Sequence, residues 1–510
     1  MVSDRVRVTM RHTLNCANEA TVAAIESPFS LGSLDLTISV LSVIEVIFVY
    51  KKPESSPQDT FLLVERLKAA TSHLLDYYPQ LTGRLQSNPV SRATEITRLG
   101  AGAELWEAHC SKKLRHIASS SLSGRLLVQK LPAAGNALLP IFHSTFGAVT
   151  HNPVFAIQHT RFSCGGAGLG IRVHHSVCDA TGFLQLVRDL AEIYRQLRDF
   201  SPPTLISPPE IRSWFRSQNN QSPKPKEKAL AFKPPDFYLD EDSTMQPESL
   251  LSGSRNVSGR VLRFSSCDLV ALKKAATDPD PKGQSWVSTF EALSAYLYQR
   301  IYQARIEALR GQGLLPDLDW QELHRTFWVA MDMRDNTRLS LPNRYFPNAS
   351  YCANASASHE ILTKGALWQV AKVVHYAIRS VNPLDIERQC EWIAAQPDKS
   401  LIRYRKKFCE GSFAISQWTR SKTYIGVDFD ISESGKPIAP TLVSKPFTQS
   451  HTVDGLAMVM ATEEQVYRNK RNGGSSVRSN RPCALDVNLA LNDSVWPILD
   501  MDPQFRKLYG

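Results

Sequence analysis

Apolar residues recur along this chain with two different periods, and the alternation between them outlines an architecture. Leu63, Leu67, Ala70, Leu74 and Tyr78 follow the helical repeat until Pro79 stops it, which predicts a helix ending there. Phe183, Leu186, Leu190 and Ile193 form a second stripe of the same kind. Ser288-x-x-Glu291 has the form of a capping box and predicts a third helix running to about Arg305. Between these lie strand-like runs at Val154–Phe162, Leu169–His174, Arg260–Phe264, Arg325–Met331 and Thr423–Phe429. The most apolar window, Leu34–Tyr50, contains Asp35 and Glu45 and is short for a membrane span, so it reads as buried strand. Helices and strands mix throughout, which indicates an α/β or α+β protein.

Length and composition narrow the picture. At 510 residues, 43% of them hydrophobic, the chain exceeds what one simple core supports. Two domains are therefore expected, over residues 1–200 and 246–510. The proline-rich stretch from Ser201 to Pro235 marks a crossover linker spanning 201–245. A segment near 360–400 is a candidate to pack back onto the first domain. The net charge of +10 suits a phosphate-bearing small molecule as well as nucleic acid. No basic run is interleaved with aromatics, so no nucleic-acid partner is expected. The densest basic stretch, Arg468–Arg481, is rich in Gly, Ser and Asn and reads as a loop. The nine cysteines include no C-x-x-C pair, which argues against a disulfide framework and a zinc site. The opening residues MVSDRVRVTM lack the apolar core of a signal peptide. A cytoplasmic protein without a membrane anchor or a metal is the expectation.

The segment Leu169-Gly-Ile-Arg-Val-His-His-Ser-Val-Cys-Asp179 carries the candidate chemistry. Leu169, Ile171 and Val173 alternate on one strand face and His175 falls in phase with them. His174 falls with Arg172 on the other face, so it is expected behind the site or at the surface. A hydroxyl is a poor nucleophile at neutral pH, and a positioned, partly buried, neutral imidazole can remove its proton during attack on a carbonyl. Asp179 could touch that imidazole or hold the turn by pairing with an arginine. Taken alone, H-x-x-x-D is better read as a core histidine and a helix-capping aspartate, because about one such match is expected by chance.

Further segments point the same way. Leu34-Asp35 precedes an apolar run to Tyr50. Leu67-Lys68 through Tyr77-Tyr78-Pro79 leads to Leu81, Gly83, Arg84 and Leu85. Phe162-Ser-Cys-Gly-Gly166 stands before His175-x-x-x-Asp179, and Ser288-Thr-Phe-Glu-Ala-Leu-Ser-Ala295 closes with Ala304-Arg305. Met331-Asp-Met-Arg334, Tyr345-Phe-Pro-Asn348, Trp418, Asp428-Phe429 and Gly435-Lys436-Pro437 follow in order. In these landmarks, spread over nearly the whole chain, the sequence resembles the BAHD family of CoA-dependent acyltransferases. Within that family it resembles the fungal members that acetylate trichothecenes or ergot alkaloids, because its second motif is degraded. The family's Asp-Gly is here Asp179-Ala-Thr-Gly182, Pro347 replaces the glycine of YFGN, and DFGWG is reduced to Asp428-Phe429-Asp430.

The resemblance implies two chloramphenicol-acetyltransferase-like α/β domains with mixed sheets and a central solvent channel. Acyl-CoA, with acetyl-CoA the expected donor, would meet the hydroxyl, or else the amine, of a small-molecule acceptor there, His175 acting as general base. A monomer is expected. Asp179 would turn from the channel and pair with Arg334, as a clamp on the catalytic turn; an Arg334 pair with Asp332 or Asp428 is the alternative. Ser416, two residues before Trp418, would donate to the oxyanion, or else is an ordinary strand residue. Ser285, Ser288 and Lys273 are candidates for holding the CoA nucleotide, since no phosphate-binding glycine loop is present. Two rivals remain. One is a condensation domain acting on carrier-bound acyl chains; the other is a catalytically dead relative that binds a small molecule.

Overall fold

Every residue of the strand Val43–Tyr50 is buried, and a strand without a polar face must be covered on both sides. In the computed structural model Ile44, Val46, Phe48 and Tyr50 face one apolar cluster, while Ile47 and Val49 face another on the opposite side of the sheet. The structure describes residues 6–54, 61–119, 124–198, 202–214, 223–240, 256–280, 286–311, 313, 324–406, 408, 411–466 and 482–506. The basic stretch 468–481 and Ser285 lie outside the described residues.

Val43–Tyr50 belongs to a six-stranded sheet in the order Val6–Leu14, Ala103–Cys110, Phe155–Phe162, Ala167–His174, Val43–Tyr50, Leu442–Ser444. One pairing is parallel, between Ala103–Cys110 and Phe155–Phe162; the others are antiparallel. The helices Val64–Tyr77 and Ala180–Gln196 cover one face through Leu67, Ala70, Leu74, Phe183, Leu186 and Leu190. These are the stripes expected from periodicity.

A second six-stranded sheet runs in the order Val257–Phe264, Leu485–Asn492, Leu456–Ala461, Phe413–Gln417, Thr326–Asp332, Ser350–Ser356. It too is mixed, with Phe413–Gln417 parallel to both neighbours. Phe327, Val329 and Met331 alternate into the core beneath the helices Thr289–Gly311 and Leu367–Arg379. The fold is therefore α/β with two mixed-sheet bodies, as the resemblance implied.

The two bodies are stitched together. Leu442–Ser444 comes from the C-terminal half yet pairs with Val43–Tyr50 of the first sheet. The Ser33 hydroxyl donates to the Cys390 carbonyl (2.6 Å), at the helix Pro383–Ala395, and the Lys399 amide donates to the Ser91 carbonyl (2.8 Å). Within the expected linker, Phe237–Leu239 forms a two-stranded ladder with Ile402–Tyr404.

Three local expectations need correction. Thr423–Phe429 is not a strand. Lys422 and Gly426 adopt left-handed φ values of 51° and 75°, which break the extended chain, while Tyr424, Val427 and Phe429 still enter the first core. The window Leu34–Tyr50 is strand only from Val43. Its start is a helical turn, Ser33–Leu36, because the Asp35 carboxylate accepts from the Gly32 amide (2.8 Å). The capped helix extends past Arg305 to Gly311.

The Ser288 cap itself is reciprocal: the Glu291 amide donates to Ser288 Oγ (3.1 Å) and the Ser288 amide to Glu291 Oε2 (2.6 Å). Losing such a cap costs about 1 kcal/mol. Ser288→Ala should lower the urea midpoint of the chain by a corresponding amount, and Ser288→Asp should restore it. Urea titration followed by circular dichroism checks this; an unchanged midpoint in the alanine variant refutes it.

Candidate active site

His175 is the first residue beyond the strand Ala167–His174. Its amide donates to the Ser42 carbonyl (3.0 Å), and its carbonyl accepts from Asn348 Nδ2 (2.9 Å). The backbone at this residue is thus gripped from the first body on one side and from the second on the other. Asn348 is fixed in turn, because its amide and its Nδ2 both donate to Asp35 Oδ1 (2.8 Å each). Asp35 is 2% exposed, and burial pushes its pKa up to about 7 against the bonds from Asn348 and Gly32.

The His175 ring borders a cavity of about 370 Å³ between the bodies. Ser42, Ile44 and Asp179 line it from the first body, and Trp328, Ala330 and Ser416 from the second. Burial lowers the His175 pKa; its own carbonyl and the Asp179 charge oppose this without overcoming it, and the charge of Lys445 adds to the lowering. The ring is therefore neutral at pH 7, the form that accepts a proton.

Asp179 is occupied elsewhere. Oδ1 accepts from the Thr181 amide (3.0 Å), the Gly182 amide (3.1 Å) and Arg334 Nη2 (2.9 Å). Oδ2 accepts from Arg334 Nη1 (2.9 Å), the Ala349 amide (2.8 Å) and Ser350 Oγ (3.1 Å). None of these donors is the imidazole. Burial alone would raise the Asp179 pKa, but the Arg334 charge and this set of donors hold it below the usual carboxylate range. Arg334 also binds Asp332 Oδ1 (3.0 Å) and the carbonyls of Tyr345 (3.0 Å) and Pro347 (2.7 Å). The displaced glycine has a steric reason: a Cβ on Gly182 would stand 2.2 Å from the Phe346 carbonyl oxygen. The helix that begins at Ala180 can approach the Phe346 backbone only because Gly182 has no side chain.

Ser416 lies opposite Ala330 on one neighbouring strand and Met458 on the other, and all three line the cavity as one cross-strand row. Trp418 lines it too, beneath Lys445, whose Nζ sits 4.5 Å from the indole centroid. Lys445 and His451, both largely buried, are wall residues that the sequence did not single out. Neither stands in a motif, and a side chain's position on a cavity leaves no local signal.

The remaining candidates lie apart from the cavity. Asp428 pairs through Oδ2 with Arg195 (3.3 Å), so its carboxylate braces the helix following the catalytic turn. Ser288 caps its own helix, and Lys273 lies over the Trp286 ring (5.3 Å). Of the two places expected for His174, behind the site or at the surface, the surface is ruled out. His174 is 2% exposed, meets Phe142 edge-on (6.0 Å), and burial drops its pKa to about 3. The segment around Leu138–Ile141 covers that sheet face, where Arg172 donates to the carbonyls of Pro140 (3.1 Å) and Ile141 (2.7 Å). Among the described residues no cluster of three His, Cys, Asp or Glu side chains is arranged to hold a metal, and no helix is long and apolar enough to cross a membrane.

Breaking a buried ion pair from one side strands a charge and costs about 3–5 kcal/mol. Arg334→Met should destabilise the chain on that scale. Adding Asp179→Asn should recover more than 1 kcal/mol of the loss, about the worth of one buried charge relieved. Denaturation of both variants tests this; a double variant no more stable than Arg334→Met would contradict it.

A model of the transferase family matches residues 6–466. A hydroxycinnamoyl-CoA:piscidic acid hydroxycinnamoyltransferase from Actaea racemosa is 26% identical over 392 residues, covering 73% of this chain and 78% of that protein. The crystal structure of vinorine synthase superposes with a TM-score of 0.65 at 15% identity, covering 99% of this chain and 98% of that one. The F. graminearum TRI101 structure with coenzyme A and deoxynivalenol gives 0.63 at 17% identity, covering 94% and 98%. The sequence relative is a plant enzyme, whereas the degraded second motif suggested fungal kinship. With its family model spanning nearly the whole length and its fold shared with these enzymes, the chain belongs to the transferase family of BAHD acyl-CoA acyltransferases.

Proposed function

We propose that this protein moves an acyl group from acyl-CoA to a hydroxyl of a small secondary metabolite within a ternary complex, with His175 as general base. Acetyl is the proposed donor group, in keeping with the degraded Asp428-Phe429-Asp430 motif and the likeness to fungal members of the family. The observation that carries the reading is a neutral imidazole bordering a cavity walled by both bodies.

In this mechanism His175 takes the proton from the acceptor hydroxyl as its oxygen bonds to the thioester carbon. The tetrahedral oxyanion collapses, the carbon–sulfur bond breaks, and the imidazolium returns the proton to the CoA thiolate. Ser416 Oγ, which has no hydrogen-bond partner among the described residues, is free to donate to the oxyanion. Asp179 moves no proton. Together with Arg334 it keeps the turn and its imidazole in place. The closed carboxylate–guanidinium pair favours this fixed-turn reading over a relay through Asp179.

Thiol release from a panel of acyl-CoAs, with extract of the source organism supplying acceptor, tests the proposal beside a His175→Ala control. His175→Ala should lose about 100–10,000-fold in rate, and equal release by both proteins would end the catalytic reading. Ligand binding without any turnover would favour the dead-relative reading. Ser416→Ala should lose on the order of 100-fold in kcat with little change in KM. Because the His175 pKa is lowered, the base stays unprotonated through neutral pH, and kcat/KM should fall only as pH drops below about 6.5, the ordinary imidazole value. An acid limb centred above that value would contradict a depressed pKa.

A further inference from the structure

Among the described residues two lysines line the cavity: Lys406 donates to Asn354 Oδ1, whereas Lys445 has a place that neither such a bond nor the proposed chemistry explains. It is 3% exposed and lines the same cavity as His175, Ser416 and Trp418. Its Nζ lies over the Trp418 indole, 4.5 Å from the ring centroid. Among the described residues no carboxylate comes within ion-pair distance of it and no acceptor hydrogen-bonds it. Its main countercharge, Glu45, acts from farther away. Glu45 is itself 3% exposed, has Oε2 without a partner, and shares its field with Arg172 across the strand pair.

The surroundings offer nothing better. His175 and His451 face Lys445 as neutral rings, each with its pKa lowered by burial and further by the Lys445 charge. Arg172 spends donors on the Pro140 and Ile141 carbonyls. An indole face attracts an ammonium but accepts none of its hydrogen bonds in the way an oxygen does. A buried ammonium in such a setting is costly, and burial accordingly pushes the Lys445 pKa down to about 7. A bound anion would reverse that cost by supplying the missing acceptor inside a low-dielectric cavity.

We propose that Lys445 is a specificity-determining residue that reads a carboxylate on one of the two substrates, with Trp418 as the platform that aims its ammonium into the cavity. The inference rests on the acyl-transfer cavity described above and names the substrate class for it: a hydroxy acid as acceptor for the acetyl group, or a dicarboxylic acyl group that takes the place of acetyl on the donor. The shared chemistry is a carboxylate that meets a lysine ammonium beside the reacting centre. A neutral substrate would leave that ammonium without an acceptor, so discrimination would come from the cost of the unpaired charge as much as from the new bond.

Calorimetric titration of the full chain separates the two sources. One pair of probes is malonyl-CoA against propionyl-CoA, and the other is 4-hydroxybenzoate against its methyl ester. A charge-assisted hydrogen bond corresponds to a preference of about tenfold or more for the carboxylate. A preference in the first pair assigns the anion to the acyl group, and one in the second assigns it to the acceptor. Lys445→Met should erase the preference and Lys445→Arg should keep it, which separates lost recognition from lost folding. Equal affinities within both pairs overturn the inference, as does a preference that survives Lys445→Met. It is also overturned if Lys445→Met slows thiol release from acetyl-CoA while the binding ratios stay put, since the ammonium would then serve the oxyanion. Repeating the titrations with His175→Ala keeps the two readings apart. Carboxylate preference without any thiol release in the unmodified chain would sink the transferase reading and leave this one standing.

Discussion

The Asp179–Arg334 pair is the constraint on which the site depends. The two-pronged contact joins the turn carrying His175 to the segment that leaves the second sheet. Three donors satisfy each carboxylate oxygen, and the guanidinium spends its other donors on Asp332 and on two carbonyls of the 345–347 loop. A buried pair is tolerable only when its remaining hydrogen-bonding capacity is filled in this way. The same loop then delivers Asn348 to the His175 carbonyl, and Asp35 holds Asn348. One network therefore sets both the position of the imidazole and the seam between the two bodies.

Burial does different things to the charged groups on either side of that seam. It lowers the pKa of His175 into the range where the ring is a free base, and it raises that of Asp35, which anchors the network, to about 7. Asp179 escapes the rise because Arg334 is in contact with it. Lys445 has no such contact and is driven down to about 7. One low-dielectric region thus contains a base, a satisfied ion pair and an unsatisfied cation, and the difference among them lies in their partners.

Much of this was legible along the chain. The stripes at Leu67–Leu74 and Phe183–Leu190 are helices because their period places every apolar member on one face. The Ser288–Glu291 box caps a helix because the contact is local. His175 was singled out by its phase with Val173 and by its place in an ordered set of landmarks. Thr423–Phe429 misled, since its apolar residues do enter a core, but from a turn bent at Lys422 and Gly426. For His174 the choice between a place behind the site and the surface stayed open, because strand alternation tells which face a residue takes and says nothing of whether another segment covers that face. Ser416 could be named only by resemblance, and Lys445 and His451 stand in no motif.

What the sequence determined alone are the quantities fixed within a few residues: helical and strand periods, a cap, a turn glycine, a histidine at a strand end. What only the tertiary structure decided is partnership across long separations. Asp35 meets Asn348, Asp179 meets Arg334, Leu442–Ser444 joins a sheet begun at Val6, and Lys445 comes to stand over Trp418 without a carboxylate. The reason is that local geometry is dictated by backbone sterics and nearest neighbours. The sign of a charge's environment depends on every segment that packs around it, and no stretch of sequence contains that information.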